Sequence, residues 1–197
     1  KKLIFSLIIS QLLVFNLVFA ATFTDVPSDH EYYDSIQYLV AQGIVVGNGD
    51  ATYDPDDILN RAEAITMISR AVFSYNNEDI IAFDSYGSNL CFSDVDTSQW
   101  YNKYICHAFA KGWVVGYGDA RFGPGNDVRF AEALKMVYMS FGFDYKEIED
   151  AWYKPVMENA ELCNYIPESV LIYNQSITRA EISDVLARII ENPCVLN

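Results

Sequence analysis

Residues 43–50 read Gly-Ile-Val-Val-Gly-Asn-Gly-Asp, and residues 112–119 read Gly-Trp-Val-Val-Gly-Tyr-Gly-Asp. The offset of 69 residues between these segments recurs along the flanking sequence without a gap. It brings the same or a similar residue into register at these pairs of positions: Phe23 and Phe92, Asp25 and Asp94, Val26 and Val95, Ile36 and Ile105, Tyr53 and Phe122, Pro55 and Pro124, Glu63 and Glu132. An internal repeat of this length predicts small structural units whose apolar faces cover one another.

A third, degraded copy follows the first two. Residues 152–153, Trp-Tyr, are similar to residues 100–101, and residues 177–181, Ile-Thr-Arg-Ala-Glu, are similar to residues 59–63, Leu-Asn-Arg-Ala-Glu. The middle of this copy is shorter and lacks the glycines. A polar stretch between the first two copies is typical of a surface connection. We divide the chain into copies at residues 21–75, 91–143 and 144–192, with the connection at residues 76–90.

The sequence of each copy predicts two helices. The first helix is expected near residues 32–42, 100–111 and 152–163. Gly43 and Gly112 are typical of the left-handed position that ends a helix. The second helix opens at Asn60 and at Thr178, where a glutamate three residues later completes a capping box. The second copy lacks this cap at Arg129, and Asp127 is the alternative capping residue there.

The N-terminal stretch predicts export. Two lysines precede an apolar run at residues 3–19 that ends in Val18-Phe19-Ala20, which is typical of a signal peptide at residues 1–20 cleaved after Ala20. A transmembrane helix is the alternative, but it needs about 20 apolar residues, and this run is shorter and contains polar residues. We expect a secreted protein at the cell wall or cell surface, with no membrane span after cleavage.

The charge balance argues against one class of partner. The chain has 13 Lys and Arg against 27 Asp and Glu, a net charge of −14. Such a chain does not neutralise a nucleic-acid backbone, so we expect no nucleic-acid partner.

The four cysteines predict disulfides rather than a metal site. Cys91, Cys106, Cys163 and Cys194 form no Cys-x-x-Cys pair, and their number is even in a chain expected to be exported. Three connectivities are open, and four free buried thiols are a further alternative. We favour Cys91–Cys106 with Cys163–Cys194, because each pair joins segments of one copy.

The order of the motifs carries a resemblance to a known family. The chain contains, in this order, Phe-x-Asp-Val, an aromatic residue, Gly-x-Gly-Asp, Phe or Tyr-x-Pro and Thr-Arg-Ala-Glu. Three copies of this pattern resemble three S-layer homology (SLH) repeats. The copies depart from the family pattern in places. Glu31 stands where the second copy has Trp100, residues 129–130 read Arg-Phe instead of Thr-Arg, and the third copy offers only Asp144 or Asp150 as its aspartate.

The resemblance implies a fold and a function. The fold is mostly α-helical, with three helix-loop-helix repeats in a pseudo-threefold, trimer-like arrangement around a central three-helix bundle, and with ligand grooves between repeats. The family is not catalytic and uses no cofactor. It anchors exported proteins noncovalently on a cell-wall polysaccharide, in many bacteria one that carries a pyruvate ketal, or on peptidoglycan. A self-assembly module of a surface layer, without sugar binding, is the alternative.

An acidic sugar would require a local cation in so acidic a chain. Arg61 and Arg179 lie just inside predicted helix starts, where a guanidinium group and free backbone amides would together bind a carboxylate. Arg129 lies one position earlier in its copy. The alternative is that these arginines pair with acidic residues of the adjacent repeat.

Other residues complete the candidate site. Asp25 and Asp94 would accept hydrogen bonds from sugar hydroxyls or cap the first helix, and Trp100 and Trp152 would stack on sugar rings or anchor the core. The glycines allow close backbone approach or form plain turns. The candidate polysaccharide-binding residues are Arg61, Arg179, Arg129, Asp25, Asp94, Trp100, Trp152, Gly47, Gly49, Gly116 and Gly118.

The sequence offers no catalytic or metal-binding pattern. His30 and His107 do not occupy equivalent positions in the copies. The acidic residues 50–57 do not have the spacing of a calcium loop, and the chain contains no nucleophile elbow, phosphate loop or dinucleotide fingerprint. We therefore expect neither an enzyme nor a metal site.

Overall fold

The computed structural model describes residues 23–78, 80–87, 90–144 and 151–194, so the expected signal peptide and Asp150 lie outside the described residues. Within these ranges the chain forms six α-helices and one 3₁₀ helix. The α-helices are α1 (Tyr33–Ala41), α2 (Arg61–Tyr75), α3 (Asn102–Ala110), α4 (Phe130–Phe141), α5 (Tyr153–Leu162) and α6 (Arg179–Glu191), and the 3₁₀ helix spans Ile80–Tyr86. The mostly α-helical fold expected from the sequence is confirmed.

The first helix of each copy ends at a residue with left-handed backbone. Gly43 has φ +68° and Gly112 has φ +74°, as their positions predict. The third copy uses Asn164, with φ +56°. Asparagine is the residue that most often replaces glycine at this position, so the third copy keeps the turn although it lacks the glycine.

The second helices begin at the predicted caps. The Asn60 side chain accepts a hydrogen bond from the backbone N–H of Glu63 at 3.0 Å, and the Glu63 carboxylate accepts one from the Asn60 N–H at 3.1 Å. Thr178 makes the same reciprocal pair with Glu181. In the second copy only one half of this pair is present, because the Glu132 carboxylate accepts from the backbone N–H of Arg129 at 2.9 Å and arginine has no side-chain acceptor.

The second helices share one hydrophobic core. Ile65 and Ile68 of α2, Val137 of α4, and Val185 and Leu186 of α6 are all buried in the same cluster. Helix α2 packs against both α4 and α6. The apolar stripe of one copy is therefore covered by the other copies, as the repeat predicts.

Three backbone hydrogen bonds join the copies in a closed ring just before the second helices. The N–H of Leu59 donates to the carbonyl of Ile177 at 3.0 Å, that of Ile177 to Val128 at 3.1 Å, and that of Val128 to Leu59 at 3.0 Å. All three side chains are buried. The ring takes one residue from each copy.

The backbone amides at each helix start are also bound by a neighbouring copy. The first two N–H groups of each second helix donate to carbonyls of the loop in the next copy. The donors and acceptors are Arg61 and Asn126 (2.9 Å), Ala62 and Pro124 (3.1 Å), Phe130 and Gln175 (2.8 Å), Ala131 and Tyr173 (3.0 Å), Arg179 and Asp57 (2.9 Å), and Ala180 and Pro55 (2.9 Å). These bonds satisfy groups that a helix start leaves without partners.

Two disulfides form, and they have the pairing favoured from the sequence. Cys91 bonds to Cys106, and Cys163 bonds to Cys194. The first joins the start of the second copy to α3, and the second joins the end of α5 to the segment after α6.

The connection between the first two copies differs from its prediction as a surface segment. Part of it forms the 3₁₀ helix, and Phe83 of this helix is fully buried against Phe73 of α2 and Tyr104 of α3. The buried amide of Asn102 donates to the carbonyl of Gly87 at 3.0 Å. The connection is thus partly a packed element, because one aromatic side chain provides it with a core.

His107 lies buried inside this aromatic cluster. Its ring centroid lies 5.2 Å from that of Phe73, 4.9 Å from Phe83, 5.0 Å from Tyr86 and 5.0 Å from Trp113, with edge-to-face geometry. Its buried Nδ1 has no hydrogen-bond partner among the described residues. Burial, together with the charge of Lys111 just after α3, lowers the pKa of His107 to about 4.

We expect His107 to make the protein less stable as the pH falls from about 6.5 to about 4. An unfolded histidine binds a proton below about pH 6.5, whereas folded His107 stays neutral down to a pKa of about 4, so the unfolded state takes up more protons in this window. The loss is of the order of 2 kcal/mol. Urea midpoints at pH 7 and pH 4.5 measure it. His107→Leu should reduce the pH dependence and His30→Gln should retain it; an equal dependence in all three proteins would contradict the prediction.

Candidate functional site

A groove of about 630 Å³ lies where the three copies meet on one side of the molecule. The second copy provides most of its walls, from the loop after α3 and from one face of α4. The first copy adds Arg61 and the third adds Trp152. The lining residues are Arg61, Gly112, Trp113, Val114, Val115, Gly116, Tyr117, Glu132, Lys135, Met136, Met139 and Trp152.

Arg61 is held rigidly at this groove. Its side chain is buried, and its Nε donates to the carbonyl of Phe122 at 3.0 Å. The guanidinium carbon lies 4.7 Å from the centroid of the Phe122 ring and 5.4 Å from that of Tyr117. In the described part of the chain it has no carboxylate partner. The guanidinium is thus fixed by a carbonyl and two rings, and its charge is not paired with an acid.

A second cation lies on the other side of the groove. The Nζ of Lys135 is 5.3 Å from the centroid of the Trp152 ring. The groove also contains the carboxylate of Glu132, but that group accepts the hydrogen bond from the Arg129 N–H. The described lining of the groove thus combines two cations with one hydrogen-bonded carboxylate.

Aromatic side chains form the walls between these cations. Tyr117 is 45% exposed, and Trp113 and Trp152 are half-buried. Such rings offer flat apolar faces together with a polar hydroxyl or N–H. A groove with the fixed guanidinium of Arg61 and aromatic walls can bind an anionic group attached to a ring that has an apolar face.

The interface at Arg179 of the third copy is equivalent to the groove at Arg61, but side chains fill part of it. Arg179 donates from Nη2 to the carbonyl of Val46 at 2.8 Å, and its guanidinium lies 4.6 Å from the Tyr53 ring centroid. Where the first groove has Met139, the repeat offset places Arg70, which donates to the carbonyl of Gly43 at 2.7 Å. The hydrogen-bonded side chain of Arg70 thus occupies the place that the flexible apolar side chain of Met139 has in the first groove.

The second copy lacks an arginine at this position and has Phe130, which is fully buried. Acidic side chains of α6 fill the adjacent interface: Glu181 accepts from the hydroxyl of Ser169 at 2.6 Å, and Asp184 accepts from that of Ser35 at 2.7 Å. The three interfaces between copies are therefore chemically different, and the groove at Arg61 combines an exposed aromatic wall with two cations.

The backbone amides at the helix starts were expected to bind a ligand carboxylate together with the arginines, and this expectation is wrong. The N–H groups of Arg61 and Arg179 donate to carbonyls of the neighbouring copy, so these amides are not available to a ligand. The sequence could not show this, because the acceptors belong to another copy. The alternative, a pairing of these arginines with acidic residues of the adjacent repeat, is not found among the described residues, since both donate to carbonyl oxygens.

Asp25 and Asp94 do not cap the first helices. Asp25 accepts hydrogen bonds from the backbone N–H groups of Tyr53 and Asp54, at 2.9 Å and 2.7 Å. Asp94 accepts the equivalent bonds from Phe122 and the next residue, both at 2.8 Å. Burial raises the pKa of Asp25, but these backbone donors outweigh it and hold the pKa below its ordinary value. Both aspartates fix the loop that leads to the second helix.

The remaining candidates lie in different places. Trp152 lines the groove, whereas Trp100 is 57% exposed at the start of α3, so it is not a core anchor. Arg129 is exposed and donates to the hydroxyl of Ser176 at 3.0 Å.

Different structural constraints apply to the four candidate glycines. A side chain at Gly47 would collide with the ring of Phe23, and one at Gly116 with the ring of Phe92. Gly49 has φ +85°. Gly118 shows neither constraint, so a plain turn is sufficient there.

Several residues that line the groove were not expected from the sequence, above all Lys135, Trp113 and Tyr117. Trp113 and Tyr117 lie within the repeated segment at 112–119, where they replace Ile44 and Asn48 of the first copy. This difference between aligned copies is the signal that could have found them.

Comparisons with known proteins agree with this architecture. Residues 22–65 and 92–134 match the S-layer homology domain. The chain is 31% identical over 200 residues to a cell surface protein of Thermoanaerobacter kivui, an alignment that covers 99% of this chain and 25% of the relative. It is 27% identical over 192 residues to the middle cell wall protein of Brevibacillus brevis, which covers 94% of this chain and 18% of the relative.

A third relative is the S-layer protein sap of Bacillus anthracis, which is 31% identical over 125 residues that make up 64% of this chain and 14% of the relative. The chain thus spans a quarter or less of the length of these three proteins. The predicted location at the cell surface agrees with them. None of the described helices is long and apolar enough to cross a membrane. The third copy lies outside the two segments that match the S-layer homology domain.

Proposed function

We propose that this chain attaches an exported protein noncovalently to the bacterial cell envelope by binding a wall polysaccharide in the groove at Arg61. The observation that carries the proposal is the fixed guanidinium of Arg61, which has no carboxylate partner among the described residues and lies in a groove with aromatic walls. The cell wall and S-layer proteins among the relatives support it. The role is attachment rather than catalysis.

The ligand that fits this groove is a polysaccharide with carboxylate groups. A pyruvate ketal on a wall polysaccharide has such a group, and so does peptidoglycan. Arginine binds a carboxylate through two parallel hydrogen bonds, and the rings of Trp113, Tyr117 and Trp152 can pack against sugar rings. The net charge of −14 does not prevent this. At physiological salt, exposed charges farther than about 8 Å away are largely screened, so the groups that line the groove, above all Arg61, decide whether an anion binds.

Arg61→Ala should weaken binding to wall polysaccharide more than any other single arginine change. A charge-assisted hydrogen bond contributes about 1.5–3 kcal/mol, which corresponds to a loss in affinity of roughly ten- to more than a hundredfold. Arg61→Lys should restore binding only in part, because it keeps the charge but loses the fork. We expect a smaller loss for Arg179→Ala, since Arg70 already fills part of its interface. Co-sedimentation with purified cell walls measures these effects.

The control is Arg121→Ala, which removes an exposed arginine that lies outside the groove and pairs with Asp119. Because Arg61 is buried, thermal unfolding of each variant must be measured as well. Lys135→Ala is a second test at a more exposed position. If both Arg61→Ala and Lys135→Ala fold and sediment with walls like the unchanged protein, this groove is not the binding site. Concentration-dependent assembly without walls, and no sedimentation with them, would support the self-assembly alternative.

A further inference from the structure

We propose that the groove continues beyond Trp152 onto the stacked rings of Tyr153 and Tyr173, and that this pair binds a further, neutral sugar ring of the same polysaccharide chain. We call this pair the tyrosine platform. The inference rests on the proposed function of the groove, and it adds that the site recognises a chain of several sugars rather than a single charged one.

The tyrosine platform lies next to the groove. Trp152 lines the groove, and its ring centroid is 5.9 Å from that of Tyr153. The rings of Tyr153 and Tyr173 are 3.9 Å apart between centroids and nearly parallel, with 6° between their planes. Three aromatic rings thus run from the groove wall outward, and the outermost residue, Tyr173, is 42% exposed.

The loop that carries Tyr173 is held in place. The carbonyl of Tyr173 accepts the hydrogen bond from the N–H of Ala131 at the start of α4. The side-chain oxygen of Gln175 accepts from the N–H of Leu171 at 3.0 Å. Because the loop is tied both to itself and to α4, the ring is oriented before any ligand arrives, and binding loses little conformational entropy.

The other two copies show that the fold does not require an aromatic side chain here. The hydrogen bond that Ala131 donates to Tyr173 is equivalent to those that Ala62 donates to Pro124 and Ala180 donates to Pro55. Proline therefore occupies the position of Tyr173 in the first two copies. The third copy has a tyrosine at this position, and it is the copy whose Trp152 borders the groove.

The chemistry of the tyrosine platform favours a neutral sugar. Tyrosine is uncharged at neutral pH, and its ring offers an apolar face with a hydroxyl at the edge, which matches a sugar ring with an apolar face and hydroxyls around it. The neighbouring side chains of Leu171 and Ile172 are 84% and 62% exposed and enlarge the apolar surface. A carboxylate-bearing sugar would instead bind at Arg61, so a chain that carries both kinds of sugar can contact both places.

The test compares the binding of polysaccharide fragments of different length. Polysaccharide released with hydrofluoric acid from purified cell walls of Thermoanaerobacter kivui is fractionated by size, and its affinity for the full chain and for Tyr173→Ala is measured by calorimetry. We expect the unchanged protein to bind longer fragments more tightly than the shortest fragment that it binds. Tyr173→Ala should lose about three- to tenfold in affinity for the long fragments and keep its affinity for the shortest. Tyr75→Ala is the matched control, because Tyr75 is 40% exposed and packs against Phe141, outside the groove.

Other outcomes would overturn the inference in distinguishable ways. If Tyr173→Ala binds long fragments as the unchanged protein does, the tyrosine platform is not a sugar site and the groove proposal stands. An equal loss for short and long fragments would mean that the substitution disturbs the groove itself. If the unchanged protein binds no fragment of any length, both proposals fail. A loss of self-association in sedimentation velocity, without any change in polysaccharide binding, would make the tyrosine platform a contact between copies of this chain.

Discussion

Ending the chain at Phe143, and so removing the third copy, should abolish cooperative unfolding of the remaining two copies. The deletion removes the buried apolar side chains of α6 from the shared core, and each such side chain contributes about 1.5–3 kcal/mol. It also removes Ile177 from the ring of hydrogen bonds and the carbonyls that cap α4. The summed loss is comparable to the usual net stability of a domain, about 5–15 kcal/mol.

Thermal unfolding followed by circular dichroism and by calorimetry measures this effect. The control keeps the third copy and replaces only exposed side chains, as in Leu171→Ser with Ile172→Ser, and it should melt like the unchanged protein. A truncated chain with a sharp transition and a comparable unfolding enthalpy per residue would show that two copies suffice for a core.

Reducing both disulfides should lower the free energy of unfolding by about 2–4 kcal/mol for each bond. The two bonds close loops of different size, because Cys91 and Cys106 are 15 residues apart and Cys163 and Cys194 are 31 residues apart. A longer loop loses more entropy in the unfolded chain when it is closed, so the second bond should contribute slightly more, by less than about 1 kcal/mol.

Urea unfolding of two double variants separates the bonds: Cys91→Ala with Cys106→Ala, and Cys163→Ala with Cys194→Ala. The unchanged protein in reducing agent provides the combined effect. Mass spectrometry of the unreduced protein checks the pairing itself. Four free thiols in the exported protein, or a bond from Cys91 to Cys194, would contradict the expectation.

The helices and their ends follow from local sequence. Asn60 and Thr178 with their glutamates fix the starts of α2 and α6 through contacts within four residues of chain, so the motif predicts them directly. Gly43 and Gly112 fix the ends of α1 and α3 in the same way. The cysteine pairs were also predictable, because each bond joins segments of one copy.

The groove was predictable only in part, because its walls come from different copies. Arg61 and Trp152 were expected, but the contact of Trp152 with Lys135 joins two copies, and a pattern within one copy does not indicate it. The backbone amides at the start of α2 were wrongly expected to be free for the same reason, since the carbonyls that accept from them belong to another copy. Phe83 was missed for a different reason, since a single buried aromatic residue in a polar stretch gives no periodic signal.

The closed ring of hydrogen bonds between Leu59, Val128 and Ile177 has a consequence for how fast and in what order the protein folds. The bond from Leu59 to Ile177 joins the first copy to the last, so the ring cannot close until nearly all of the chain is present. Contacts between residues so distant in sequence slow folding, because loop closure must precede the interactions that stabilise it. A chain that leaves the cell from its N-terminus would thus remain open while it crosses the membrane and would acquire its final structure only on the outer side.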